Sequence, residues 1–215
     1  MGWFSLKLLK CSLMVLLVVL LIWGGLALFL PKEDGVFRVV LDPGHGGKDP
    51  GAVVGDYMEK DINLCIALQV RELLAVQEGI QVTMTRDEDI FLELDERADL
   101  ANKEKADLFI SIHANALEDN DSFSGLFTFY HSGKRSGIAP AGQMQAAVVA
   151  ASGATDRGTR GANYAVLRET KMPAILIETG FMTCPEELAR LIDPEYQTKL
   201  AQGITNGILS IKNGM

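Results

Sequence analysis

Three runs of this sequence are apolar along nearly their whole length rather than on alternate residues, and that constrains the fold most. They are Phe37–Asp42 (FRVVLD), Asp107–Ile112 (DLFISI) and Ala174–Ile177 (AILI). A strand with no polar face has to be covered on both sides, as in a parallel sheet between helices. The intervening segments supply the helices. Asp61–Val76 places Ile62, Ile66, Leu73 and Leu74 among polar residues, which suits a helix packed on a sheet. Leu94–Lys103 and the Ala-rich Gly137–Ala151 read as further helices, and Pro185–Ile192 and Pro194–Lys212 as two closing ones, each with Pro near its start. Gln81–Thr85 and Ser124–His131 complete the strands, the latter with looser alternation. The sequence predicts an α/β fold with a mostly parallel sheet.

A second feature sits ahead of this pattern. Cys11–Leu30 (CSLMVLLVVLLIWGGLALFL) carries no charge and as a helix would span ~30 Å, one hydrocarbon thickness. Lys7 and Lys10 precede it, which keeps the short N-terminus cytoplasmic and exports the rest. The expectation is a transmembrane anchor over 1–30, with a cleaved signal peptide ending near Gly25-Leu26-Ala27 as the alternative. A linker (31–35, PKEDG) and a catalytic domain (36–215) follow, on the outer face of the cytoplasmic membrane or secreted. The chain holds 28 acidic and 20 basic side chains, net charge -8, which argues against nucleic acid as a partner. Beyond the anchor only Cys65 and Cys184 remain. They form no CxxC motif, and two unpaired residues are expected.

Polar groups collect at the carboxyl ends of the predicted buried strands: His45 after Phe37–Asp42, His113 after Asp107–Ile112, Glu178 after Ala174–Ile177. Ligands of open α/β sheets bind at that edge. His45 lies in Asp42-Pro43-Gly44-His45-Gly46-Gly47, where the glycines let the backbone turn and leave the ring uncovered. Its alternative is an incidental turn residue, and that of His113 a satisfied core histidine. Asn115 either orients a ligand or caps the next turn. Two histidines suit zinc, which needs a third ligand and one open position. Asp42, Asp49, Asp56, Glu59, Asp61 and Glu178 are candidates, and spacing does not choose among them. Glu178, beside apolar neighbours, suits a general base. A buried carboxylate with only a structural hydrogen bond is the other reading.

These residues lie within a longer ordered set: VVLDPGHGGKDPGAVVG (Val39–Gly55), EKDINL (Glu59–Leu64), TRDED (Thr85–Asp89), LDERADLAN (Leu94–Asn102), ADLFISIHAN (Ala106–Asn115), NYAVLR (Asn163–Arg168) and PAILIETGF (Pro173–Phe181). In that order and at these separations, they resemble the zinc-dependent N-acetylmuramoyl-L-alanine amidases, the type 3 amidase domain, over Val36–Ile211. The resemblance implies that His45, Glu59 and His113 ligate Zn2+, that Glu178 is the catalytic glutamate, and that a twisted sheet of about six strands is flanked by helices. It implies peptidoglycan as substrate. A short chain with one anchor and no wall-binding repeats looks most like the CwlD-type amidases of endospore formers, which prepare cortex peptidoglycan for muramic-δ-lactam formation during sporulation and germination. An accessory envelope protein is a possible partner. Cys184 stands where many relatives have Asn. Ala116–Ser124 is too short for the autoinhibitory helical insertion of division amidases.

Other side chains are assigned lesser roles. Arg157, Arg160 and Arg168 either bind carboxylates or lactyl oxygens of the wall polymer or form a solvated basic face, with Arg168 the best candidate for a place near the site. His131 is expected at the surface. Arg86 and Arg97 are expected to anchor helices to the sheet through ion pairs. A zinc peptidase or deacetylase acting on the same polymer, and a non-catalytic wall-binding regulator, are the rival functions.

Overall fold

A computed structural model describes residues 35–117 and 120–214 of the chain. The anchor expected over 1–30 and nearly all of the linker lie outside the described residues. Among the described residues no helix is long and apolar enough to cross a membrane. The unit that begins at Phe37 carries the fold.

Its elements follow in order: β1 (Phe37–Pro43), β2 (Val53–Val54), β3 (Tyr57–Met58), α1 (Glu59–Ala75), β4 (Ile80–Met84), α2 (Leu94–Lys103), β5 (Leu108–Asn115), β6 (Leu126–His131), α3 (Ile138–Ser152), β7 (Asp156–Ala162), α4 (Ala165–Glu169), β8 (Ala174–Phe181), α5 (Pro185–Leu191) and α6 (Pro194–Gly214). Six strands form one sheet in the order β4-β1-β5-β8-β6-β7. The first four run parallel to one another, while β6 runs antiparallel to β8 and parallel to β7. The sheet is therefore mostly parallel and six-stranded, with a reversed pair at one edge.

Burial explains the apolar runs. Alternate residues of the central strands feed two separate clusters. Leu41, Ile110, Ile112, Ile175 and Ile177 pack beneath α1, α3 and α6 against Ile66, Val70, Leu74, Met144, Leu200 and Ile204. Val40, Phe109 and Leu176 face the other way, against Ala101 of α2 and Val166 and Leu167 of α4. That second layer is thin, since α4 has five residues. Toward the carboxyl ends its face passes from Val40 to Asp42, from Phe109 to Ser111 and His113, and from Leu176 to Glu178, by the two-residue period of a strand. Polar side chains thus emerge where the covering helices stop.

The structure differs from the sequence reading in three places. β5 and β8 run past their expected ends, so His113 and Glu178 lie within strands and face each other in register. Residues at such ends remain strand because their backbones pair with a neighbour, whatever their side chains. β7 (DRGTRGA) falls in a stretch to which the sequence reading assigned no element. It is an edge strand, largely exposed, so it needs no apolar face. The short β2–β3 ribbon and α4 were also unforeseen.

Candidate metal centre

The glycine loop after β1 is held open by two buried arginines. Arg86 Nε donates to the Pro43 carbonyl at 2.9 Å and its Nη2 to the Gly44 carbonyl at 2.9 Å. Arg97 reaches from α2 to Asp42 of β1 (Nη1–Oδ1 2.8 Å) and donates from Nη2 to the His45 carbonyl at 2.8 Å. His45 itself sits at φ 62°, the left-handed region that costs a non-glycine residue of order 1–3 kcal/mol. The surrounding hydrogen bonds enforce it. Arg97 thus makes the expected ion pair from helix to sheet, while Arg86 uses backbone carbonyls.

His45, Glu59 and His113 converge, each with one donor atom, all within 4.8 Å of one another. Glu59 opens α1 and is buried. Its Oε1 lies 2.9 Å from His113 Nδ1 and its Oε2 3.2 Å from His45 Nε2. Backbone amides of Ala52 (3.0 Å) and Ala114 (3.1 Å) and the Asn63 side-chain amide (3.2 Å) also donate to it. Burial works against its charge, but the hydrogen bonds from His113 and His45 outweigh burial and hold the carboxyl well below the usual range. Asp49 accepts from His45 Nδ1 at 2.8 Å, fixing the ring with Nε2 turned inward, as a supporting carboxylate does for a ligating imidazole. At Gly51 (φ 66°) a Cβ would come within 2.6 Å of Glu59 Oε2 and 2.7 Å of His45 Cδ2, so this turn is open only to glycine. Two imidazoles, one carboxylate and a carboxylate behind one imidazole form a donor set that fits zinc.

Glu178 lies beside this group on β8. It is buried, its Oε2 has no hydrogen-bond partner, and burial pushes its pKa up to about 7 even though His113 and His45 pull it down. A cavity of about 520 Å³ opens on it, walled by Phe91, Leu94, Tyr164 and Val166.

The remaining candidates fall elsewhere. Asp42 is saturated by Thr85 (2.7 Å), Arg97 and Ser111 (2.7 Å). Asp56 and Asp61 are exposed. Asn115 Oδ1 accepts from the Ala116 amide at 2.8 Å, capping the turn. Arg168 is paired with Glu169 at 2.8 Å and lines a neighbouring groove. His131 bonds Asn163 at the surface (3.2 Å). Cys65 and Cys184 are free thiols. Sequence reasoning missed Asn63 and Tyr164. Asn63 follows Glu59 by four positions, the helical spacing that brings two side chains together, and that signal was available.

The family model described as N-acetylmuramoyl-L-alanine amidase matches residues 39–210. The chain belongs to this type 3 amidase family. An N-acetylmuramoyl-L-alanine amidase from Clostridium difficile 630 is 40% identical, with a TM-score of 0.81 over 83% of this chain and 98% of that one. The sporulation-specific N-acetylmuramoyl-L-alanine amidase of Bacillus subtilis is 36% identical over 80% of this chain and 66% of its own length. The CwlD amidase of Clostridioides difficile, solved in complex with the GerS lipoprotein, is 31% identical with a TM-score of 0.78 over 83% of this chain and all of that one. The chain spans less than two thirds of several curated relatives of the family, down to 35% of one.

The amidase fold carries a testable proton linkage. Burial disfavours charge on His45, but Glu59 and Asp49 outweigh it and raise the pKa to about 9. In the metal-free protein His45 is therefore protonated at pH 7, and a ligating nitrogen must be free of its proton. Zinc uptake at pH 7 is expected to release about one proton, with affinity falling about tenfold per pH unit below 9. Calorimetry in buffers of different ionisation heat reads this directly. Uptake without proton release would remove His45 from the ligand set. The raised pKa stabilises the metal-free fold below 6.5, the ordinary histidine value, and that contribution is lost as pH rises through about 9.

Proposed function

We propose that this chain is a zinc-dependent peptidoglycan amidase that hydrolyses the bond between the lactyl group of N-acetylmuramic acid and L-alanine of the stem peptide. The unpartnered, buried Oε2 of Glu178 beside the His45, Glu59 and His113 group carries this reading. A buried oxygen left without a donor costs stability and makes sense if it waits for a proton. In this proposal His45, Glu59 and His113 would hold the ion, which when bound would supply a Lewis acid that makes water more acidic. Glu178 receives that proton on Oε2, hydroxide adds to the amide carbon, the C–N bond breaks, and Glu178 returns the proton to the leaving amine. Asp49 keeps His45 oriented, and Tyr164 and Phe91 wall the cavity.

The test is product analysis with the full chain and purified peptidoglycan. Release of stem peptides with a free N-terminal L-alanine is expected. A zinc peptidase would cut inside the stem, a deacetylase would free acetate, and a regulator would release nothing, so any of those products overturns the reading.

The setting we propose is the spore cortex, on the likeness to the sporulation-specific and CwlD amidases. The domain would be held outside the cytoplasmic membrane by residues 11–30, with an accessory envelope protein of the kind seen with CwlD. Loss of muramic-δ-lactam from spores of a deletion strain, and protection of residues 1–30 alone from external protease, are the expected results. Normal lactam content would place the enzyme in another wall.

A further inference from the structure

The reversed edge of the sheet carries a second feature on the same face as the metal centre. In register, Glu178 of β8 faces Phe127 of β6 and Leu176 faces Phe129, while Phe129 faces Arg160 of β7. Directly opposed residues share a sheet face, so Phe127, Phe129 and Arg160 continue the surface to which Leu176 and Glu178 contribute the cavity. The Arg160 guanidinium lies 4.4 Å from the Phe127 ring centre and so leans back along β6 toward Glu178. The Arg157 guanidinium lies 4.5 Å from the Phe123 ring centre, and its Nε donates to the Ser124 carbonyl at 2.6 Å. Stacking on rings fixes a guanidinium while leaving its edge donors free. No carboxylate among the described residues pairs with either arginine, although the chain has 28 acidic side chains to 20 basic ones. Unneutralised, immobilised forks of this kind suit a planar carboxylate.

The chemistry of the reaction says which carboxylate. The lactyl carboxyl of muramic acid is consumed in the scissile amide, so the glycan side offers none nearby, and an anion within reach belongs to the peptide. One strand, β6, lies between Arg160 on β7 and Glu178 on β8, so two inter-strand spacings, about 10 Å, separate the two strands, which an extended peptide covers in about three residues. We propose that Arg160, assisted by Arg157, binds a free carboxylate on the stem peptide two or three residues beyond the scissile amide, selecting acidic stems over amidated ones. This rests on the amidase reading above.

The experiment compares two muramoyl tripeptides that differ only in whether the carboxyl groups after the first residue are free or amidated, using the zinc-loaded full chain. The wild-type protein is expected to favour the acidic probe about 10- to 100-fold in kcat/KM, the range for a charged hydrogen-bonded contact, mainly through KM. Arg160→Gln collapses that ratio toward one, Arg160→Lys restores part of it, and Arg71→Gln, an exposed arginine of α1 paired with Glu72, leaves it intact. A wild-type ratio near one, or a ratio that survives Arg160→Gln, overturns the proposal and leaves the amidase reading standing. Cleavage of neither probe by the wild-type protein overturns both.

Discussion

Glu178→Gln is expected to lower stem-peptide release by about 10²- to 10⁴-fold, the range for a lost general acid–base group, while zinc stays near one per chain. The substitution keeps the volume and the buried position but cannot take a proton. The wild-type rate should also carry an acidic limb that the variant lacks. Burial raises the carboxyl to about 7 in the metal-free protein, and a bound cation pulls it lower, since positive charge favours the ionised form. The base works only when deprotonated, so kcat/KM rises with pH through an apparent pKa below 7 and flattens above it. A Gln variant that retains both the rate and the acidic limb would transfer the base to another residue. Loss of zinc in the variant would instead make Glu178 a fourth ligand.

The second large effect concerns stability. Asp42→Ala should destabilise the domain by about 3–5 kcal/mol, because it leaves Arg97 buried without its counter-charge. The carboxylate is 1% exposed and receives Thr85, Ser111 and Arg97 at 2.7 to 2.8 Å, so three buried donors lose their acceptor together. Arg97 also holds the Pro43 and His45 carbonyls, and the loss therefore reaches the metal centre. Urea unfolding of the metal-free and zinc-loaded forms measures both consequences. The gap between them should narrow in the variant as zinc affinity drops. A change below about 1 kcal/mol, the scale of an exposed pair, would show that water reaches this ion pair.

The layer arrangement was legible in the sequence because apolar runs that alternate with amphipathic helices admit few folds. Strand ends were not. His113 and Glu178 look like loop residues by polarity, yet inter-strand hydrogen bonds carry the ladder through them. β7 was illegible for the opposite reason. An exposed edge strand needs only backbone pairing, and DRGTRGA advertises nothing. At the site, His45 and His113 stood out by position at the ends of buried strands. The third member of their group did not, because six carboxylates satisfied the same spacing. Three-dimensional contacts separate them: Asp42 is saturated, Asp49 sits behind His45, Asp56 and Asp61 face solvent, and Glu178 is left unpartnered. Arg168 was favoured over Arg160 from sequence; that Arg168 pairs with the exposed Glu169 while Arg160 stacks on Phe127 is revealed only by the folded chain.

The metal group is assembled from the loop after β1, the start of α1 and the end of β5, and its Glu59–His113 contact closes 54 positions of chain. In an unfolded chain, gathering those donors would carry a large loop-closure entropy for each segment. A cation therefore has little to hold until the central strands have paired, and it cannot nucleate folding. Conversely, Leu41, Ile110, Ile175 and the helices over them bury a core that owes nothing to the ion. Unlike a zinc finger, which unravels when stripped of its metal, this domain is expected to keep its far-UV circular dichroism and its cooperative melt under chelation and to take up metal as a finished receptacle. On the amidase reading proposed above, its activity would then be switched by metal supply without synthesis of new protein.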